Sequence, residues 1–259
     1  MSDLIQLEKR GHIAVITINN PPANTWTAES LPALAATVQA LNEDRNIFAL
    51  IVTGQGEKFF SAGADLKTFA DGDKARASDM GKAFGEAFAA LTAFRGVSIA
   101  AINGYAMGGG LECAMACDIR IAEEQAQMAL PEAGVGLLPC AGGTQNLPWL
   151  VGEGWAKRMI LCGERIKADK ALQIGLVEEV VPTGQGLEKA LELAEMACKQ
   201  SPSSVARCKT LVMSARDGRS HEDGWRMERE LFVELFSTED QKEGVNAFLD
   251  KRKPEWKNR

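Results

Sequence analysis

Apolar residues alternate with their neighbours along His12-Ile13-Ala14-Val15-Ile16-Thr17-Ile18, a period of two that predicts a strand. A shorter apolar segment at residues 4–7 lies across Lys9-Arg10-Gly11, so the chain is expected to open with a hairpin. The period then changes. Leu31, Leu34, Ala35, Val38 and Leu41 recur at helical spacing over residues 27–41, with Thr27 or Ser30 as N-cap and Pro32 tolerable only in the first turn. Phe48-Ala49-Leu50-Ile51-Val52 reads as a fully buried strand, ended by Thr53-Gly54-Gln55-Gly56.

The same order recurs. A loop at residues 59–67 leads to a helix at 76–94, a strand at 98–102 and a glycine turn into a helix at 109–117. A third cycle runs through Asp118-Ile119-Arg120-Ile121-Ala122, a short strand at 128–130, and helices at 142–150, 154–162 and 168–174. This predicts an α/β fold of stacked ββα-like turns, although the cycles share little sequence. Beyond Val180-Val181-Pro182-Thr183-Gly184-Gln185-Gly186 glycines thin out and helical periodicity covers 187–199, 202–216 and 222–249. Residues 1–200 are therefore expected to form the core that holds the site, and 201–259 a helical C-terminal region. Ser201 caps the second of these helices and Pro202 occupies its first position. Trp225, Leu231, Phe232, Leu235 and Phe236 exceed one amphipathic stripe, which calls for packing against another element or subunit.

Composition narrows the field. With 46% hydrophobic and 25% charged residues the chain is that of an ordinary globular protein. A net charge of -6 gives no global reason to bind nucleic acid or an anionic membrane. The first residues lack the basic and apolar regions of a signal peptide, so a cytoplasmic location is expected, and no stretch reads as a membrane span. Cysteines at 113, 117, 140, 162, 198 and 208 form no CxxC pair, and His12 and His221 are the chain's two histidines. Metal-ligand spacing is absent, and buried free thiols are expected.

Between Arg95 and Asp118 a single ionisable residue of the Asp, Glu, Lys, Arg and His types stands, Glu112, directly after Gly108-Gly109-Gly110-Leu111. A lone carboxylate in apolar sequence carries a burial cost of several kcal/mol unless it is hydrogen-bonded or paired. The helix dipole offers about 0.3 to 1 kcal/mol toward that cost. The glycines admit two readings, close packing of a turn or a backbone N-H that faces a developing oxyanion. Phe59-Phe60-Ser61-Ala62-Gly63-Ala64-Asp65-Leu66-Lys67 could supply a second donor, or could be an ordinary loop capped by Ser61 or Asp65. Glu132, after Pro131, suits a routine helix opening, yet Met128-Ala129-Leu130 and Ala133-Gly134-Val135-Gly136-Leu137-Leu138 surround it with apolar residues. Two isolated carboxylates suit a site that both gives and takes protons. No GxGxxG, GxxxxGK[ST] or GxSxG pattern is present, and neither histidine stands where catalysis would place it.

Asn20-Pro21-Pro22-Ala23-Asn24, the segments 60–67 and 103–112, Leu130-Pro131-Glu132, Ala141-Gly142-Gly143-Thr144-Gln145, Gly175-Leu176-Val177 and Ala247-Phe248-Leu249-Asp250-Lys251-Arg252 stand in an order and spacing that resembles the enoyl-CoA hydratase/isomerase (crotonase) superfamily over essentially the whole chain. The resemblance implies a crotonase-like spiral of ββα units with a C-terminal helical trimerisation region, and a homotrimer or homohexamer. It implies that the Ala64 and Gly109 N-H groups hold a thioester oxygen. Ala62, Ala64, Asp65, Leu66, Lys67 and Gly109 would line the CoA site, with Phe248 and Lys251 reaching the CoA of a neighbouring subunit. Glu112 would activate water and Glu132 would protonate Cα, converting a trans-2-enoyl-CoA into a 3-hydroxyacyl-CoA by syn addition, as in fatty acid β-oxidation. The implied partner is an acyl-CoA substrate, with neither nucleic acid nor membrane; no metal or cofactor is implied, CoA being part of the substrate.

Members that lack one glutamate of the pair include isomerases, decarboxylases and dehalogenases, so the pair favours hydration. The same-fold rival is a double-bond isomerase. From other classes, a non-catalytic acyl-CoA-binding member is disfavoured by the two glutamates, and an RNA-binding one by the acidic balance. Cys140 stands where glycine is usual and Asn146 where arginine is common, both near the acyl end, and Lys67-Thr68-Phe69 also departs from the usual pattern.

Overall fold

The computed structural model describes residues 3–259; Met1 and Ser2, part of the expected mature N-terminus, lie outside them. Ten strands and nine α-helices are defined among the described residues. The hairpin is β1 (Ile5–Arg10) and β2 (Ile13–Ile18). Lys9 and Arg10, expected in the turn, pair as strand residues with Ala14 and Ile13. Helix α1 (Ser30–Glu43) follows, with the Thr27 Oγ1 accepting from the Ser30 N-H at 3.1 Å and the Ser30 Oγ from the Thr27 N-H at 2.9 Å.

Three ββα turns come next. The first is β3 (Ala49–Gly54), β4 (Phe59–Ser61) and α2 (Lys74–Thr92); the second is β5 (Val97–Ile102), β6 (Tyr105–Met107) and α3 (Gly109–Ala116). The third is β7 (Ile119–Glu123), β8 (Gln127–Ala129) and α4 (Gly143–Leu161), which is kinked at Gly152 where two separate helices were expected. Each turn sends its long strand to one sheet and its short strand to another. The long ones lie in the order β1-β2-β3-β5-β7 and end at β10 (Glu179–Val181), while β4, β6 and β8 run parallel and are closed by β9 (Ile166–Lys167). This is the crotonase-like spiral.

Burial on both faces explains the continuous apolar runs of the parallel strands. Leu50, Val52, Ala100 and Ile102 join the core beneath α1, α2 and α3, whereas Ala49, Ile51, Ile99 and Ala101 face Ala190 and Ala194 of α6 (Gly186–Cys198). Asn103 ties the first turn to the second. Its Oδ1 accepts from the Gly54 N-H at 3.1 Å, and its Nδ2 donates to Gly54 O at 3.0 Å and Gly56 O at 2.6 Å.

Between β9 and β10 lies α5 (Ala168–Gln173). The chain ends in α7 (Pro202–Arg216), α8 (His221–Leu235) and α9 (Glu239–Leu249); the single long helix expected at 222–249 is broken after Phe236, and Thr238 caps its second part. Lys209 fastens α7 to the core, its Nζ donating to Phe94 O at 2.6 Å and Asp118 Oδ2 at 2.8 Å. Trp225 and Phe232 on α8, and Phe236 at its C-cap, are exposed in the single chain. No described helix is long and apolar enough to cross a membrane.

Candidate active site

Gly63 brings two loops together. Its φ of +86° is open to glycine, and a Cβ there would lie 2.7 Å from Met107 O and 3.1 Å from Gly109 N, so the 61–64 loop rests on the start of α3. The Trp26 N-H donates to Gly63 O at 2.8 Å and the Asp65 N-H to Trp26 O at 3.1 Å, a parallel bridge that leaves the intervening Ala64 N-H directed the other way. The Gly109 N-H stands at the first position of α3, ahead of any intrahelical acceptor. Both residues border one cavity of about 900 Å³, together with Glu112 and Glu132. The packing reading applies to more than one of the three glycines: a Cβ on Gly109 would meet the Phe84 ring at 2.8 Å. Gly110 serves packing, because a side chain there would collide with Ser61 O, and Gly109 borders the cavity.

Glu112 lies one turn into α3 and is 2% exposed. Its Oε1 accepts from the Ala141 and Gly143 N-H groups, each at 2.8 Å. These belong to the N-terminus of α4, whose dipole favours the carboxylate. Burial raises its proton affinity, and the two N-H groups pull it back.

Glu132 opens a short 3-10 turn, Glu132–Val135. Its Oε1 lies beside Gly108, while its Oε2 is buried without a hydrogen-bond partner among the described residues. Burial pushes this carboxyl up to about 7, a bond from its own N-H opposes the rise, and the Glu112 charge adds to it. Two carboxylates in one cavity thus have different partners: one is gripped by backbone, the other is poised to hold a proton near neutrality.

Of the other expected residues, Ala62 and Leu66 border the cavity. Asp65 caps the turn Leu66–Phe69, as one reading of this loop expected, its Oδ1 accepting from the Lys67 N-H at 3.1 Å, and Lys67 is exposed. Phe248, 83% exposed, and Lys251 stand at the end of α9, away from the cavity lining. Sequence reasoning passed over Phe84 of α2, which with Leu66, Phe69, Val135, Leu137 and Leu138 gives the cavity its apolar wall. Phe84 carries no signal beyond helical periodicity.

His12 stacks on Phe48 with ring centroids 4.2 Å apart, and His221 opens α8 at the surface; neither borders the cavity. All six thiols are free. Burial was expected for them, yet Cys113 and Cys117 alone are buried, and Cys140, Cys162 and Cys208 are exposed. No cluster of three or more His, Cys, Asp or Glu is placed to hold a metal ion among the described residues. A larger cavity of about 1010 Å³ lies between α3, α4 and α7 and contains neither glutamate.

Residues 8–259 match the family pattern described as enoyl-CoA hydratase/isomerase. The short-chain-enoyl-CoA hydratase of Clostridium acetobutylicum is 40% identical over 255 residues, 98% of this chain and 97% of the relative. Among solved structures, DspI of Pseudomonas aeruginosa superposes with a TM-score of 0.95 at 64% identity, covering 98% of this chain and 97% of that one. The enoyl-CoA hydratase of Bacillus anthracis superposes with a TM-score of 0.95 at 36% identity, covering 99% and 100%.

Proposed function

Because the chain belongs to the enoyl-CoA hydratase/isomerase family, we propose that it is a hydro-lyase that adds water to a trans-2-enoyl-CoA thioester and forms a 3-hydroxyacyl-CoA. The observation that carries this reading is the meeting of Glu112 and Glu132 in one cavity with opposite hydrogen-bonding circumstances. The thioester oxygen accepts from the Ala64 and Gly109 N-H groups, which stabilise the charge that builds there. Glu112, oriented through Oε1, takes a proton from water as the water oxygen bonds to Cβ. The electron pair of the alkene moves toward the thioester oxygen, and Glu132 gives its proton to Cα. One proton is taken and one given, so the sum is addition of water across the double bond.

The reading calls for no metal and no cofactor besides the CoA of the substrate. It extends to a cytoplasmic homotrimer or homohexamer of β-oxidation type, with residues 1–200 as core and 201–259 as the oligomerising helices. The exposed apolar face of α8 supports that assembly, and Phe248 and Lys251, both exposed, would meet the CoA of a neighbouring subunit in it. The test follows loss of the conjugated thioester chromophore of a four-carbon 2-enoyl-CoA and identifies the product. A 3-hydroxyacyl-CoA is expected; a shifted alkene would make the protein an isomerase.

A further inference from the structure

Trp26 touches both of the segments that bring a backbone donor to the catalytic cavity. Its main chain forms the parallel bridge to Ala64, with the Trp26 N-H on Gly63 O at 2.8 Å and the Asp65 N-H on Trp26 O at 3.1 Å. Its indole N-H reaches the other segment, donating to Gly109 O at 3.2 Å. The side chain is fully buried and stands edge-on to Phe88 with ring centroids 5.7 Å apart, and Phe88 meets Phe84 in the same way. Trp26 itself does not border the cavity.

The turn it holds has no side chain of its own to anchor it. Gly108 has a φ of 51° and a ψ of -124°, a conformation that suits glycine, so contacts from outside must fix where the Gly109 N-H points. The peptide between the two glycines is held at its carbonyl end, where Gly108 O accepts from the Glu112 N-H at 3.0 Å, and the Gly108 N-H donates to Ala129 O at 2.9 Å. The next carbonyl is Gly109 O, the one the indole holds. A Cβ at 109 would also lie 3.4 Å from Trp26 Cδ1, so Gly109 rests against the indole as well as bonding to it. A buried indole N-H needs an acceptor wherever it lies, and any nearby carbonyl would satisfy it. This one belongs to a donor residue, and the same tryptophan brackets the other.

We propose that Trp26 is a positioning residue of the oxyanion hole: its main chain aims the Ala64 N-H and its indole N-H anchors Gly109, so that one residue fixes the separation of the two donors. The inference rests on the hydratase reading and adds to it a residue that touches no substrate. Donors stabilise a developing charge most when they stand in place before it forms. A donor that must first be reoriented gives back part of that gain. The ground-state carbonyl carries less charge and tolerates a looser arrangement, so loss of the anchor falls on kcat more than on KM.

The test uses the full-length protein with two changes at position 26. Trp26→Phe removes the N-H and keeps an aromatic ring, and the benzothiophene analogue of tryptophan, placed at this position alone, keeps the bicyclic shape and lacks the N-H. The analogue decides the matter if Trp26→Phe does not fold. Steady-state rates on a four-carbon trans-2-enoyl-CoA are joined by the infrared carbonyl band of bound butanoyl-CoA labelled with carbon-13 at its thioester carbonyl, a saturated probe that cannot be hydrated. Expected in both variants is a kcat lower by about 10- to 100-fold, less than the loss of a whole donor, with KM changed less than about threefold. The wild type should move the carbonyl band to lower frequency, and the variants should lose about half of that displacement, one donor of the pair being misplaced. A folded analogue with wild-type kcat, a loss in Trp26→Phe that the analogue does not share, a rise in KM alone, or a lower kcat with the band unmoved overturns the inference. A wild type that hydrates without displacing the band also overturns it and leaves the proposed function intact. A wild type that displaces the band and hydrates nothing overturns the proposed function, and the band in the two variants then decides the role of Trp26. Neither hydration nor displacement overturns both.

Discussion

The Gly143 N-H donates to Glu112 Oε1 at 2.8 Å, and a side chain built on Gly143 would meet that same oxygen at 2.8 Å. The position therefore has room for the donor and for nothing else. Gly143→Ala is expected to push the carboxylate off its two N-H groups and lower kcat on the order of 10- to 100-fold, since misplacement by about an ångström costs that much. Steady-state kinetics alongside a thermal melt check it; an unchanged kcat in a folded variant would show that this grip is irrelevant to catalysis.

Glu112→Gln and Glu132→Gln keep the shapes of the side chains and remove their proton chemistry. Each is expected to lower kcat by about 10²- to 10⁴-fold with little change in KM, the range of a lost general base or acid. Rates on a four-carbon 2-enoyl-CoA decide it, and a variant that keeps wild-type kcat would remove that residue from the mechanism.

The proposed mechanism needs Glu112 charged and Glu132 protonated. The Glu132 carboxyl is held up at about 7, so kcat/KM should fall as pH rises through neutrality, and it should fall again on the acid side as Glu112 takes up a proton above the ordinary carboxylate range. Glu132→Gln should abolish the alkaline limb while lowering the plateau. A profile flat from pH 5 to 9 in the wild type would contradict the assignment.

The same shift acts on stability. With its folded pKa raised, Glu132 binds its proton more tightly in the native state, so its favourable contribution is complete below about pH 4.5 and is lost as pH rises through about 7. Glu132→Gln should therefore melt higher than wild type at pH 8, with the gap closing toward pH 5. Partial solvent screening at the cavity keeps the expected gap to a few degrees. Melts at the two pH values test the sign.

Lys209→Met removes the charge that joins α7 to Phe94 O and Asp118 and leaves Asp118 bonded to Ser98 alone among these partners. A loss of about 1 to 3 kcal/mol in denaturant unfolding is expected. A variant as stable as wild type would mean that α7 is held by its apolar contacts.

Glu112 was legible because a single charge in a long apolar segment is a burial problem that sequence alone poses. The long strands were legible because parallel strands buried on both faces are written as uninterrupted apolar runs, Ala49–Gly54 above all. The short strands Phe59–Ser61 and Tyr105–Met107 read in the sequence as loop and turn, since three residues hold too little pattern to register a period. Backbone donors leave no mark of their own: Ala64 and Gly109 entered through the resemblance, and only the parallel bridge at Trp26 reveals which way the Ala64 N-H points. Asp65 was legible as a local cap, and its carboxylate takes that place on the Lys67 N-H.

Gly109 and Glu112 are the first and fourth residues of α3, about 4.5 Å apart along its axis. A helix has no slack. A single residue inserted between them would swing the glutamate by about 100° around the axis, out of the cavity, while the glycine stayed where it was. Loops around the cavity can lengthen, shorten or exchange side chains and so give new substrates to the same chemistry. The three-residue interval inside α3 admits no such tinkering, so under the proposed mechanism the place where electrons collect and the place where the proton departs are inherited as one indivisible unit.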